Sequence, residues 1–222
     1  MNGQLSQIDN VLFDLDGTLV DSSETITTCI HHALDRVGVP VAPDMRMDAF
    51  IGLSLLDIFR KEFDLTQAQS EAAIVYYRDH FDALGQADSR VYEDMHDVLA
   101  DLKSAGYRLF IATVKPTSIA EKVLSDLQLR AYFEGVSGAS MGHERRDKAG
   151  IITHAIKTYA LDPARSIMIG DRAQDISGAR HNGLVSVAVT YGFGSREELH
   201  AARPDHTVDR SRDIASLLSQ AV

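Results

Sequence analysis

Asn10-Val11-Leu12-Phe13-Asp14-Leu15-Asp16-Gly17-Thr18 is the stretch on which the fold turns. The short run Asn10 to Phe13 predicts a buried strand of a parallel sheet. It ends on two carboxylates, at i and i+2, just before a glycine. In open parallel sheets the crevice beyond the strand carboxyl ends is where ligands bind. Two acids placed side by side there repel each other, a cost that a cation would offset. A strand-ending turn with solvated acids is the plain alternative for this segment alone.

Three further runs of the same kind lie downstream: Arg108 to Ala112, Ser166 to Ile169 and Val185 to Val189. Helical patterns separate the later ones, and several carry start signals. Ser118 with Glu121, and Ser195 with Glu198, have capping-box spacing, while Asp162-Pro163 offers an N-cap followed by a first-turn proline. Strands alternating with helices predict a doubly wound, Rossmann-like α/β core. The third run ends in Gly170-Asp171-Arg172-Ala173-Gln174-Asp175, so a second strand delivers a carboxylate at its carboxyl end, with another one helical turn later. Asp171 as a simple N-cap and Asp175 as a surface residue is the competing interpretation. Three or four convergent carboxylates point to a hard, oxygen-preferring cation, Mg²⁺ rather than zinc.

One stretch breaks the alternation. From Leu19 to Ser89 the chain reads as helix after helix, with Ile26, Ile30, Leu34 and Val37, then Leu55, Ile58 and Phe59, at helical spacing. Thr66 and Gln69 have capping-box spacing before the helical segment Ala72 to Leu84. The expectation is an inserted all-helical domain, residues 19–89, in a discontinuous core of residues 1–18 and 90–222.

Charge and composition narrow the class. Lys plus Arg total 22 against 32 for Asp plus Glu, a formal net charge of −10. That balance argues against a nucleic-acid partner, which needs a basic face. No run is long and apolar enough for a membrane span, and MNGQLSQIDN lacks the basic and apolar regions of a secretory signal. Cys29 is the only cysteine, which excludes an intrachain disulfide and fits a reducing, cytoplasmic setting. No feature sets the oligomeric state.

The ordered set Asp14-x-Asp16-Gly17-Thr18, Thr113, Lys148 and Gly170-Asp171-x-x-x-Asp175 resembles the four motifs of the haloacid dehalogenase-like hydrolases. Leu19-Val20-Asp21-Ser22 and the helical insertion resemble the phosphoglycolate phosphatase-like branch and its helical cap. The resemblance covers essentially the whole chain. It implies that Asp14 is the nucleophile, forming an aspartyl-phosphate, and that Asp16 protonates the leaving alcohol and then activates water. It further implies that Thr113 hydrogen-bonds a phosphoryl oxygen and that Lys148 offsets phosphoryl charge and orients Asp14. Mg²⁺ would be held by Asp14, the backbone carbonyl of Asp16 and Asp171, with Asp175 supporting from behind. Thr113 alone could be a β-favouring strand end. Lys148 sits in the charged run Glu144-Arg145-Arg146-Asp147-Lys148, and only the apolar helical pattern after it (Ile151, Ile152, Ala155, Ile156) marks it as the start of a core helix. Lys115 is the competing lysine.

The implied activity is a Mg²⁺-dependent phosphatase acting on a small phosphomonoester such as 2-phosphoglycolate or a nucleoside monophosphate. A phosphosugar mutase of the same superfamily shares both aspartates. A haloacid dehalogenase is disfavoured by the acid at position 16, the phosphonate-cleaving branch by Asp16 and by Lys61 being the only lysine of the insertion, and a non-catalytic binding protein by the intact acid set. In the family the insertion selects the substrate. Phe50-Ile51-Gly52-Leu53-Ser54-Leu55 resembles a cap loop of phosphoglycolate phosphatase and 5′-nucleotidase-like members, or is a plain turn with Gly52 at a C-cap. Arg60 and Lys61 are either carboxylate-binding or solvated. His31-His32 lacks metal-ligand spacing, Cys29 reads as a buried structural thiol, and Gly192 and Gly194 read as a turn into a helix.

Overall fold

In the computed structural model, which describes residues 5–42, 44–84, 89–140 and 147–219, the strands are Asn10–Phe13 (β1), Val20–Asp21 (β2), Arg90–Val91 (β3), Arg108–Pro116 (β4), Gly135–Ala139 (β5), Ser166–Gly170 (β6), Val185–Val189 (β7) and His206–Val208 (β8). Six of them form one sheet in the order β5-β4-β1-β6-β7-β8, and β2 pairs with β3. Every neighbouring pair in the six-stranded sheet is parallel. The chain runs outward from β1 through β4 to β5, then returns to β6 and runs outward the other way to β8. The order therefore reverses between β1 and β6, and it is at such a switch point that a crevice opens beyond the carboxyl ends.

The helices of seven or more residues among the described residues are Ser23–Arg36 (α1), Gln67–Leu84 (α2), Met95–Ser104 (α3), Thr117–Asp126 (α4), Lys148–Tyr159 (α5), Ala173–His181 (α6), Arg196–Ala202 (α7) and Ser211–Ser219 (α8), with a single α turn at Leu55–Asp57 and short 3-10 and π turns between some of them. Because side chains alternate across a strand, Leu12 points to one face of the sheet while Val11 and Phe13 point to the other. Leu12 joins Phe110, Met168, Ile151, Ile152 and Ala155 in a core under α5. Val11 and Phe13 are equally buried, and Phe13 meets Phe133 edge-on, with ring centroids 6.2 Å apart. Both faces are thus covered, as parallel sheets require.

The chain divides into two compact units, Met1–Asp21 with Val91–Val222, and Ser22–Arg90. In the second, α1 and α2 pack together through Ile26, Ile30, Leu34, Ala73, Tyr77 and Phe81. Val37 is the C-cap of α1 and not part of its buried face. Thr66 and Gln69 form the reciprocal capping box: each backbone N–H donates to the other's side-chain oxygen. Gly52 follows the 3-10 turn Met47–Phe50 with φ of 84°, a left-handed conformation suited to glycine. Lys61 pairs with Asp57 and Arg60 donates to Gln67, both on the exposed surface. Cys29 is buried. Among the described residues no helix is long and apolar enough to cross a membrane.

Local signals differ from the outcome at four places. β4 runs on to Pro116, and β5 and β8 lack an apolar run: Gly135–Ala139 is built from small residues and His206–Val208 is three residues long. Ser118 with Glu121 is not a capping box, because α4 starts at Thr117 with Pro116 as its N-cap, two residues earlier than a Ser118 cap would place it, and makes no side-chain cap. Asp162 does cap, accepting from the Ala164 N–H at 3.0 Å, but opens a single 3-10 turn and not a long helix. Ser195 accepts from the Glu198 N–H at 3.0 Å, whereas the Glu198 carboxylate turns to Arg172. Glu144 to Arg146 lie outside the described residues.

Phe110 is the largest fully buried side chain of β4, and it stacks on Tyr159 of α5 with ring centroids 5.1 Å apart. Phe110→Ala should cost about 3–5 kcal/mol of unfolding free energy, read by denaturant titration; a loss below about 1 kcal/mol would show that this packing does not anchor α5.

Candidate active site

Strand register does most of the assembly. Phe13 is level with Ile111 on one side and Ile169 on the other, so the next residues, Asp14, Ala112 and Gly170, come abreast at the carboxyl edge. The Asp14 N–H donates to the Ile169 carbonyl. Lys148 is the first residue of α5, whose N-cap, Asp147, accepts from the Gly150 N–H at 2.8 Å. Its ammonium reaches back to the Ala112 carbonyl at 2.9 Å, to Asp14 Oδ2 at 2.9 Å and to Asp175 Oδ1 at 2.7 Å. Three oxygens thus lie within 2.9 Å of one ammonium. Burial alone would lower the Lys148 pKa, but Asp14 and Asp175 outweigh it and hold the ammonium above its ordinary value.

Asp171 follows β6 and is 1% exposed. One carboxylate oxygen accepts from the Thr18 hydroxyl at 3.1 Å and the other from the Phe193 N–H at 2.8 Å. Asp175 lies in the first turn of α6. Its Oδ2 accepts from the Arg172 N–H at 3.0 Å while Oδ1 faces Lys148. Asp14, Asp171 and Asp175 each offer a carboxylate oxygen within 4.8 Å of the others. Burial, then Asp175 and Asp14, pushes the Asp171 carboxyl up to about 8. Burial, opposed by Lys148, leaves Asp175 at about 6.

Asp16 takes a different partner. Its Oδ2 pairs with Lys115 Nζ at 2.8 Å, both side chains being under a tenth exposed. Thr113 is buried beside them, its hydroxyl accepting from the Lys115 N–H at 3.3 Å. The two lysines that compete in the sequence are therefore both used, one by each aspartate of the Asp14-x-Asp16 pair.

These residues fit a divalent cation. Four carboxylates (Asp14, Asp16, Asp171 and Asp175) face two ammonium groups, and Arg172 is committed to Glu198 at 3.0 Å. With every carboxylate ionised, the set is two positive charges short of neutrality. Burial first, and then Asp175 and Asp14, hold a proton on Asp171 that a cation would replace. An all-oxygen donor set suits Mg²⁺ better than zinc.

Part of the site is invisible as a linear motif. A Cβ at Gly17 or Gly192 would collide with the Asp171 side chain, and one at Gly194 with the Asp171 carbonyl oxygen. Tyr191 donates its hydroxyl to the Thr18 carbonyl at 2.9 Å and meets Tyr92 edge-on at 4.9 Å. The loop 191–194 is therefore a wall of the site as well as a turn into α7, and two glycines spaced by one residue after a strand were its only trace in the sequence.

The chain matches the haloacid dehalogenase-like hydrolase family over residues 11–189. It is 35% identical over 197 residues to a 5′-nucleotidase of Pseudomonas aeruginosa, covering 89% of each chain, and 28% identical to a phosphoglycolate phosphatase of Nitrosococcus oceani, covering 98% of this chain and 99% of that one. A tyrosine-protein kinase, PtkA, of Mycobacterium tuberculosis is 35% identical over 184 residues, which are 83% of this chain and 62% of the kinase. The crystal structure of a predicted phosphatase from Clostridium acetobutylicum superposes with a TM-score of 0.92 at 35% identity, covering 96% of this chain and 99% of that one.

The folded Asp171 pKa of about 8 lies above the ordinary value of 3.8. Between these two the native state keeps a proton that the unfolded chain has released, so metal-free stability falls as pH rises through that window. Mg²⁺ competes with the same proton, so its stabilisation should grow with pH. Thermal melts with chelator and with Mg²⁺ should show a larger Mg²⁺-induced rise in Tm at pH 8 than at pH 6, and Asp171→Asn should abolish that difference. An equal rise at both pH values would contradict the assignment.

Proposed function

The chain belongs to the haloacid dehalogenase-like hydrolases, and from that premise we propose that it is a Mg²⁺-dependent phosphatase that hydrolyses a small phosphomonoester through an aspartyl-phosphate. The observation that carries the proposal is the Lys148 ammonium held between Asp14 and Asp175 next to Asp171. That cluster provides a carboxylate at a strand end, a fixed positive charge beside it and a cation site in one crevice. Phosphoryl transfer asks chiefly for positioning and charge neutralisation.

In this proposal an Asp14 carboxylate oxygen attacks phosphorus and the ester P–O bond breaks. The electron pair stays on the leaving oxygen, which takes a proton from Asp16. Asp16, now a carboxylate, removes a proton from water, whose oxygen attacks the phosphorus of the aspartyl-phosphate. Phosphate leaves and Asp14 is regenerated. Lys148 keeps Asp14 oriented and opposes the phosphoryl charge. The Thr113 hydroxyl donates to a phosphoryl oxygen. Asp14, Asp171 and the Asp16 carbonyl would hold Mg²⁺, with Asp175 supporting through Lys148 and the Arg172 N–H. When bound, the ion neutralises charge on the phosphoryl oxygens as the ester bond opens.

Substrates of the 2-phosphoglycolate or nucleoside monophosphate type are supported by the similarity to a phosphoglycolate phosphatase and a 5′-nucleotidase. We assign the choice among them to the helical unit Ser22–Arg90. The lone buried Cys29 and the strongly acidic charge fit a cytoplasmic enzyme whose partner is a small molecule and not a nucleic acid.

Asp14→Asn should retain less than about a tenth of wild-type phosphate release while still folding, as read by circular dichroism; a variant above that level would exclude Asp14 as nucleophile. A panel of phosphomonoesters should yield inorganic phosphate in proportion to substrate consumed. Conversion of glucose 1-phosphate to glucose 6-phosphate with little free phosphate would instead establish a mutase.

A further inference from the structure

Lys148 cannot serve Asp16. Its ammonium is enclosed by Asp14, Asp175 and the Ala112 carbonyl, all within 2.9 Å. Asp16 nevertheless sits two residues from Asp14, and a carboxylate buried to that degree needs a counter-charge of its own. A second ammonium, Lys115, meets it at 2.8 Å, and the two side chains are 8% and 9% exposed. At that level of burial the pair is not one of the solvated surface pairs that add little.

The backbone is shaped to put Lys115 there. β4 and β5 pair in register up to Thr113 and Gly138, and the register then shifts before Pro116 meets Ala139. Such a bulge leaves a residue outside the ladder and turns its side chain. The Lys115 N–H, released from the ladder, donates to the Thr113 hydroxyl at 3.3 Å. The Lys115 carbonyl crowds Gly138 so closely that a Cβ on that residue would collide with it. The Gly138 N–H in turn donates to the Thr117 hydroxyl at 3.1 Å, on the far side of the bulge. Thr113, Gly138 and Thr117 thus fix the segment that carries Lys115, and Pro116 stiffens it.

We propose that Lys115 is the positioning residue for Asp16. Its ion pair holds the acid–base carboxylate away from the Asp14, Asp171 and Asp175 cluster and in place for proton transfer to the leaving oxygen. The kinetic part of this proposal rests on the phosphatase function above, whereas the geometric part does not. General acid catalysis matters in proportion to the basicity of the leaving group, so displacing Asp16 should penalise alkyl phosphates far more than an ester whose leaving group needs no proton.

Crystal structures and kcat/KM values should be obtained for wild type, Lys115→Met and Lys115→Arg, with Asp16→Asn and the double variant Lys115→Met/Asp16→Asn for the kinetics. Lys115→Met preserves length and removes the charge. It is expected to shift the Asp16 carboxylate by about 1 Å or more, a displacement of the kind that costs about 100-fold in rate. Lys115→Arg is expected to keep the carboxylate in place and to retain most activity. With 2-phosphoglycolate or adenosine 5′-monophosphate, whichever wild type turns over faster, Lys115→Met should lower kcat/KM about 100-fold, and with p-nitrophenyl phosphate by at least about tenfold less. The double variant should be no slower than Asp16→Asn alone, because both changes remove one function. An unmoved Asp16 carboxylate in Lys115→Met, equal losses for the two leaving groups, or additive losses in the double variant would each overturn the proposal. A wild type inactive on all these esters, with Asp16 displaced in Lys115→Met, would overturn the phosphatase function and uphold the positioning role.

Discussion

The buried ammonium of Lys148 is the constraint around which the rest of the crevice is organised. A lysine with no access to water is tolerable only if its charge is met at close range, and three oxygens do so at 2.7–2.9 Å. Lys148 also stands at the first turn of α5, where the helix dipole disfavours a cation. The Asp14 and Asp175 carboxylates must overcome both costs. Removing one of them would leave a buried charge uncompensated, a loss of about 3–5 kcal/mol in comparable cases. Orientation of Asp14 and integrity of the α5 and α6 termini are therefore one interaction.

Surplus negative charge follows from the same arrangement. Once Lys148 is committed to Asp14 and Asp175, Asp171 has hydrogen-bond donors but no ammonium of its own, and burial raises its pKa to about 8. The glycines at 17, 192 and 194 bring backbone up against it, so the side chain cannot move out to water. With every carboxylate ionised, the site is two positive charges short of neutrality, a deficit that a divalent ion would offset.

Sequence patterning made the centre of the sheet legible for a simple reason. β1, β6 and β7 are buried on both faces and read as continuous apolar runs, and register then carries Asp14 and Asp171 to one edge. Gly135–Ala139 escapes that signal because close approach of the Lys115 carbonyl and of Tyr159 demands small residues there. Lys148 was legible only through the apolar pattern of α5 behind it, since its own neighbours read as a solvated charge run. The competition between Lys148 and Lys115 dissolves in three dimensions, because each aspartate of the Asp14-x-Asp16 pair takes one of them. Gly192 and Gly194 showed 191–194 as a turn into a helix but not as a wall of the site, because its partners Thr18 and Asp171 are far away in the chain.

The central claim is that a phosphoryl group rests covalently on Asp14 between two half-reactions. Acid quenching within the first turnover of a radiolabelled phosphomonoester, followed by peptide mapping, tests it directly. Label on the peptide that carries Asp14, lost on chase with unlabelled substrate and absent from Asp14→Asn, is the predicted result. Turnover with no labelled protein at any quench time, or label on a peptide without Asp14, would contradict it.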